Sequence, residues 1–219
     1  MIVRRMLLSG IAACALAGGL LLTGCGGDDP AVAGIASTVA PEPLPIDERV
    51  VKDGLAGLTA GTAPQVASTP EAFARLVGDD EPAEEATNLR EAGFVTGALT
   101  TYAAAPGEVD AFGLSGAIEY GSPEQARSEL ARLDAEFAGD SLDAATPGTL
   151  ARVPGSRTIT ASGTEDGQAF ALAAAFFTDG PFLYVQSAFG PRATVRPGDV
   201  FEAAGTLYEW VKGRPAPTP

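Results

Sequence analysis

The chain has 219 residues, 28 acidic against 14 basic side chains for a formal charge of −14, two cysteines and no histidine. Without histidine there is no His-dependent triad, no imidazole metal site and no ordinary titration between about pH 5 and 8. So acidic a surface argues against nucleic acid and against lying flat on anionic lipid, and its bland role is solubility.

Met1–Val3 lead into Arg4 and Arg5, and an apolar run from Met6 to Leu22 follows, broken only by Ser9, Gly10, Gly18 and Gly19. A positive start ahead of such a run is the layout of an export signal. The run is short for a membrane span, which requires about 20 strongly apolar residues. The small-residue stretch Ala31-Val32-Ala33 lies too far beyond it for ordinary signal cleavage. The run ends in Leu22-Thr23-Gly24-Cys25, which resembles the lipobox of bacterial lipoproteins. That resemblance implies a signal over residues 1–24, cleavage before Cys25, diacylglycerol on the Cys25 sulfur and anchorage on the extracytoplasmic side of the cell membrane. Two or more acyl chains, of the palmitate kind, anchor stably where one anchors marginally.

With Cys14 removed and Cys25 consumed by lipid, the mature chain keeps no thiol for a disulfide, a thiolate metal site or a cysteine nucleophile. Losing Arg4 and Arg5 takes the formal charge to −16, from 12 basic and 28 acidic residues. An exported domain without disulfides has to stand on its hydrophobic core, which a domain of about 150 residues can build.

Residues 25–45 read as a flexible tether, rich in Gly, Ala and Pro without periodicity, able to hold a domain about 25 Å from the lipid. Ile46–Leu58 has the makings of a short amphipathic helix weakened by Gly54 and Gly57, so residues 46–67 stay open between helix and loop. The folded domain is expected over 68–213, beginning at the helix start Ser68-Thr69-Pro70-Glu71. Pro82–Glu91 predicts a second helix, with Glu84 and Glu85 in its first turn and Gly93 to stop it.

Phe94–Tyr102 and Val109–Tyr120 read as strands joined through Ala105-Pro106-Gly107, the second presenting Phe112, Leu114, Gly116 and Ile118 on one face. Ser122–Ala138 is the clearest helix, with Ser122, Pro123 and Gln125 as a capping pattern and Ala126, Leu130, Leu133 and Phe137 as its apolar stripe. Arg127, Glu129, Arg132 and Asp134 are expected to face water. Gly139–Thr149 reads as loop, and Leu150–Val153 with Arg157–Ser162 as a strand broken at Pro154-Gly155. Gln168–Phe177 and Pro181–Ala188 flank Thr178-Asp179-Gly180, a hairpin signal. Gly198–Lys212 predicts a last helix with Val200, Ala203, Leu207 and Trp210 inward, ended by Gly213, and residues 214–219 a frayed tail. Helices followed by short-looped strands imply an α+β fold: one domain, an antiparallel sheet of about four to six strands packed against helices.

Leu89-Arg90-Glu91-Ala92-Gly93-Phe94-Val95 and Phe177-Thr178-Asp179-Gly180 resemble an uncharacterised lipoprotein domain of high-GC Gram-positive bacteria, over about Pro82 to Gly213. The arrangement also loosely resembles PsbP-like domains of actinobacterial lipoproteins. These resemblances imply binding or accessory roles and bring no catalytic residues.

Asp79-Asp80-Glu81 with Glu84 and Glu85 is the densest acidic cluster, but its spacing is not that of a calcium loop, which alternates oxygen ligands around a turn glycine. Gly113-Leu114-Ser115-Gly116 approaches a nucleophile elbow, yet Ala117 holds the final glycine's place and only Lys52 and Lys212 could act as base. Paired-carboxylate chemistry has Asp110, Glu119, Glu165, Asp166 and Asp179 to draw on. Aromatic residues gather in the last third, where Phe182 and Tyr184 share a strand face beside Asp179. That face reads mainly as core and otherwise as a groove for a lipid, glycan or envelope protein. The expectation is therefore a lipid-anchored envelope binding or accessory module, not an enzyme, without cofactor or metal. The rivals are a carboxylate enzyme acting on wall polysaccharide and a passive spacer or sensor ectodomain.

Overall fold

A computed structural model describes residues 41–78, 81–104, 111–139, 145–165 and 168–215. The strands are β1 (Thr59–Ala60), β2 (Gln65–Ala67), β3 (Phe94–Ala103), β4 (Phe112–Tyr120), β5 (Thr146–Gly148), β6 (Arg157–Glu165), β7 (Gln168–Asp179) and β8 (Phe182–Pro191). The helices are α1 (Pro70–Leu76), α2 (Pro82–Glu91), α3 (Pro123–Gly139) and α4 (Pro197–Val211). All strands join one antiparallel sheet in the order β1-β3-β4-β8-β7-β6-β5, with β2 also paired to β3. The α+β class stands, but the sheet has eight strands where four to six were expected. The extra ones are β1, β2 and β5, of two or three residues, too short to carry a period of two.

Local signals placed the longer elements. Thr69 caps α1 by accepting from the Ala72 N–H at 3.2 Å, and Ser122 caps α3 by accepting from Gln125 N–H at 3.2 Å. The Gln125 side chain lies instead over Gly93 and Gly121; a Cβ on Gly93 would come within 2.1 Å of Gln125 Nε2. Gly93 also has φ +83°, and it is this left-handed backbone that makes glycine the residue for the α2–β3 turn, since the Gln125 end could swing aside. In the β7–β8 hairpin Asp179 pairs with Phe182, leaving Gly180 and Pro181 as the loop. Gly180 has φ +57°, as the first position of a type II′ turn requires, and Pro181 supplies the negative φ of the second.

The sheet is covered on both faces. On one, Leu99, Leu114, Ile118, Leu183, Val185 and Phe176 pack under α1, α2 and α3. On the other, Ala98, Ala117, Ala175, Phe177, Phe182 and Tyr184 pack under α4 and the chain around Leu44–Leu58. Hence β7 is buried without a break from Ala171 to Phe177, and β8 from Phe182 to Ala188. Strand β4 differs from the half-buried strand expected: Gly113, Ser115 and Ala117 face the second layer and are buried too. Their small side chains let irregular backbone approach the sheet.

That backbone corrects the expected domain limits. Among the described residues packing is already present at Leu44, ahead of Ser68: Leu44, Val50, Leu55 and Leu58 are all buried. The only helical turn in this stretch is a 3₁₀ turn at Ile46–Glu48. At the other end Pro215 is not frayed, since its carbonyl accepts from Leu44 N–H at 3.0 Å. Leu150–Val153 is a turn rather than a strand, with Leu150 N–H donating to Ser156 Oγ at 2.8 Å. In α3, Glu129 is buried and paired with Arg132 instead of facing water. In α4 the inward stripe is Val200, Ala204, Leu207 and Val211. Trp210 is 46% exposed, with the Arg214 guanidinium 3.9 Å over its ring.

Candidate functional site

Arg49 organises one end of the sheet. It is fully buried, its Nε donates to Leu44 O at 2.9 Å, and one terminal nitrogen donates to Tyr184 OH at 2.8 Å. The other donates to Arg214 O at 2.7 Å and Pro215 O at 2.8 Å, and the guanidinium stacks 3.8 Å over the Phe182 ring. Four acceptors and an aromatic face replace the water that a buried guanidinium loses. The expected face is corrected here. Phe182 is 2% and Tyr184 0% exposed, with Phe177 stacked on Tyr184 at 4.6 Å, so neither can touch a partner. Burial raises the Tyr184 hydroxyl above its ordinary range. Asp179 accepts from Gly213 N–H at 2.8 Å, fixing the end of α4. All three residues brought forward from the sequence thus belong to one clasp that joins the start and finish of the fold.

The carboxylates do not assemble a catalytic pair at this point. Glu119 and Asp179 both pair with Phe182 from opposite sides, which sets their backbones about 10 Å apart. The space between them holds the Phe182 ring and the Arg49 guanidinium. Burial raises the Glu119 pKa, and the Arg49 charge partly offsets this. Asp110, Asp166, Asp79, Asp80 and Cys25 lie outside the described residues. Among the described residues no cluster of acidic side chains is placed to hold a metal ion, and no helix is long and apolar enough to cross a membrane.

Ser115 is a buried structural hydroxyl. It accepts from Val51 N–H at 2.9 Å and from Gln186 Nε2 at 2.9 Å, while Tyr102 OH donates to Val51 O. The lysines that could have served it are paired elsewhere, Lys52 with Glu48 at 3.0 Å and Lys212 with Glu209.

Two openings among the described residues bear on a binding site. One lies between the sheet and α1 and α3, beside Phe73, Leu99, Gly116 and Leu133, with about 10 Å³ of room, enough for one water. The other is a groove of about 370 Å³ on the face of β5–β6–β7 that α4 leaves uncovered. Its walls are Thr146, Thr160 and Ser162, then Arg192 and Arg196, with Ala161, Ala171, Val195 and Pro197 as its apolar part. Pro197 opens α4, so the positive end of that helix borders the groove. No reading of the sequence brought these residues forward. The available signal was Thr158, Thr160, Ser162 and Thr164 at a period of two, a hydroxyl stripe on one strand, followed by two arginines four apart.

No protein-family model and no curated protein matches the chain. Among solved structures it is similar to the crystal structure of the extracellular domain of PknH from Mycobacterium tuberculosis. Identity is 12%, the TM-score is 0.46, and the match covers 70% of this chain and 84% of that one. A likeness this distant transfers neither function nor site residues.

Proposed function

We propose that the chain is a lipid-anchored extracytoplasmic binding domain of the cell envelope, held by Cys25 and lacking catalytic machinery. The observation that carries this reading is the position of the clasp relative to the groove. Leu44, the first buried residue among those described, and Pro215 meet at the end of the sheet where β8 begins. Strand β8 runs ten residues from Phe182 to Pro191, about 30 Å, and the groove residues Arg192–Pro197 follow it. A lipid at Cys25 would thus tether the domain through its clasp end, leaving the groove at the opposite end of the sheet free for a ligand. The resembled lipoprotein domains, with their binding or accessory roles, agree with such a display.

The test is the intact denatured mass of the protein extracted from its host's membranes, with Cys25→Ser as control. A chain beginning at a diacylglyceryl cysteine, and release of the Cys25→Ser protein from the membrane fraction, support the reading. An unmodified Cys25 on a membrane-free protein refutes it.

A further inference from the structure

We infer that the groove over β5–β6–β7 binds a small anionic saccharide, meaning a hydroxylated ring that carries a phosphate or carboxylate. This deepens the binding reading above and rests on it for location only. The volume, about 370 Å³, falls at the small end of ligand pockets, suited to one or two sugar rings rather than to a folded partner.

The lining matches that ligand in three respects. Arg192 and Arg196 bring two planar guanidinium forks to a protein of formal charge −14. A fork meets the two oxygens of a carboxylate or phosphate in parallel hydrogen bonds, which a lysine cannot do. Among the described residues Arg192 has no ion pair, and the nearest carboxylate to Arg196 is Asp199 at 3.9 Å, with the arginine 75% exposed. The Arg192 fork is thus open to an incoming oxyanion, and Arg196 is held only by this long, exposed pair with Asp199. Next, Thr146, Thr160 and Ser162 form a row of hydroxyls. Thr146 pairs with Thr160 across β5–β6, and Ser162 is two residues on along the same face. A hydroxyl both donates and accepts, as recognition of a sugar's own hydroxyls requires. Finally, half-buried Pro197 at the start of α4 supplies a small apolar surface for the C–H side of a sugar ring, over a floor closed by buried Ala171 and Val195.

Placement agrees with the lining. The three hydroxyl residues sit on rigid paired strands, and the two arginines flank the short stretch that links β8 to α4, where Val195 is fully buried and pins the backbone.

The experiment is calorimetric titration of the purified full chain with four probes: glucose 6-phosphate, glucuronate, glucose and inorganic phosphate. The same titrations use Arg192→Gln/Arg196→Gln and, separately, Thr160→Val. The expected result is binding of one or both anionic sugars, weakened at least about tenfold by the arginine pair and by raised salt. Glucose should bind far more weakly, and inorganic phosphate should be indifferent to Thr160→Val while the sugar is not. Preference between the two anionic sugars identifies phosphate or carboxylate as the anion. Three results overturn the inference: no binding of either anionic sugar up to millimolar concentration, binding that survives loss of both arginines, or inorganic phosphate binding as well as the sugars. Intact mass on the same preparation keeps the two readings apart. Lipid on Cys25 with an empty groove removes the ligand alone, whereas a bound sugar with bare Cys25 removes the anchor alone.

Discussion

Replacing Arg49 by Met tests the clasp most directly, because the thioether keeps most of the side chain's volume and removes its charge. Arg49 makes four hydrogen bonds, to Leu44 O, Tyr184 OH, Arg214 O and Pro215 O, and is fully buried. Bonds from a charged donor contribute roughly 1.5–3 kcal/mol each. Against this gross gain stands a desolvation penalty of several kcal/mol for the guanidinium, which the methionine variant recovers. The variant also leaves acceptors behind. Tyr184 OH is orphaned in a buried site and Leu44 O with it, at about 1–3 kcal/mol for each such group, whereas Arg214 and Pro215 can turn to water. The net expectation is a loss of about 3 kcal/mol, a large share of the 5–15 kcal/mol typical of a whole domain. Urea unfolding should show a lower midpoint with an unchanged slope. Adding Tyr184→Phe should restore about 1–2 kcal/mol, because the orphaned hydroxyl is then gone. Hydrogen exchange supplies the local reading: Leu44 N–H, bonded to Pro215 O, should lose protection ahead of the sheet amides. A loss under about 1 kcal/mol, or unchanged protection at Leu44, refutes the assignment of Arg49 as the residue that closes the fold.

Two other changes bear on the sheet. Gly116→Ala should stabilise the domain by about 1–1.5 kcal/mol, the sum of a buried methyl and reduced freedom of the unfolded chain. Its Cβ would enter the small void at 3.6 Å from Leu99 Cδ1 and 3.9 Å from Val185 Cβ, ordinary contacts, and thermal unfolding should rise by about 3–5 °C; a fall shows that the void is not free to be filled. Glu119 has a raised pKa, so the folded state holds its proton more tightly than the unfolded one, and its contribution to stability declines as pH rises through the raised value. Glu119→Gln should therefore be more stable than the parent at pH 7 and converge with it in acid; a constant difference at all pH values contradicts the shift.

Elements long enough to show a period or a cap were legible in the sequence. The caps at Thr69 and Ser122, the stop at Gly93 and the hairpin around Gly180 rest on interactions within a few residues, which single-sequence signals describe. Longer-range effects were not legible. The segment from Leu44 to Leu58 has only a 3₁₀ turn to announce it, yet it covers part of one sheet face, where Gly113, Ser115 and Ala117 leave it room. Burial of Arg49 depends on partners as distant as Tyr184 and Pro215, and Glu129, though paired locally with Arg132, is covered only once its helix packs, so hydropathy alone places both in water. Phe182 and Tyr184 were found in the right strand and on a shared face; what covers them is decided by Arg49, more than 130 residues away.

The covered faces also explain where a binding site can form. In a sheet with one open face, ligands have its whole area; here α1–α3 take one side and α4 with the N-terminal stretch takes most of the other. What remains is the margin where α4 begins and β5–β6 extend past it. The strand alternation changes at that margin as it should: Thr158 is buried, Thr160 half-buried and Ser162 exposed along the same face of β6. A strand that served only the core would continue with aliphatic residues to the point where the cover stops. Hydroxyls running from under the cover into the open, met by two arginines from the linker into α4, make the margin the part of the described surface whose chemistry exceeds what folding requires.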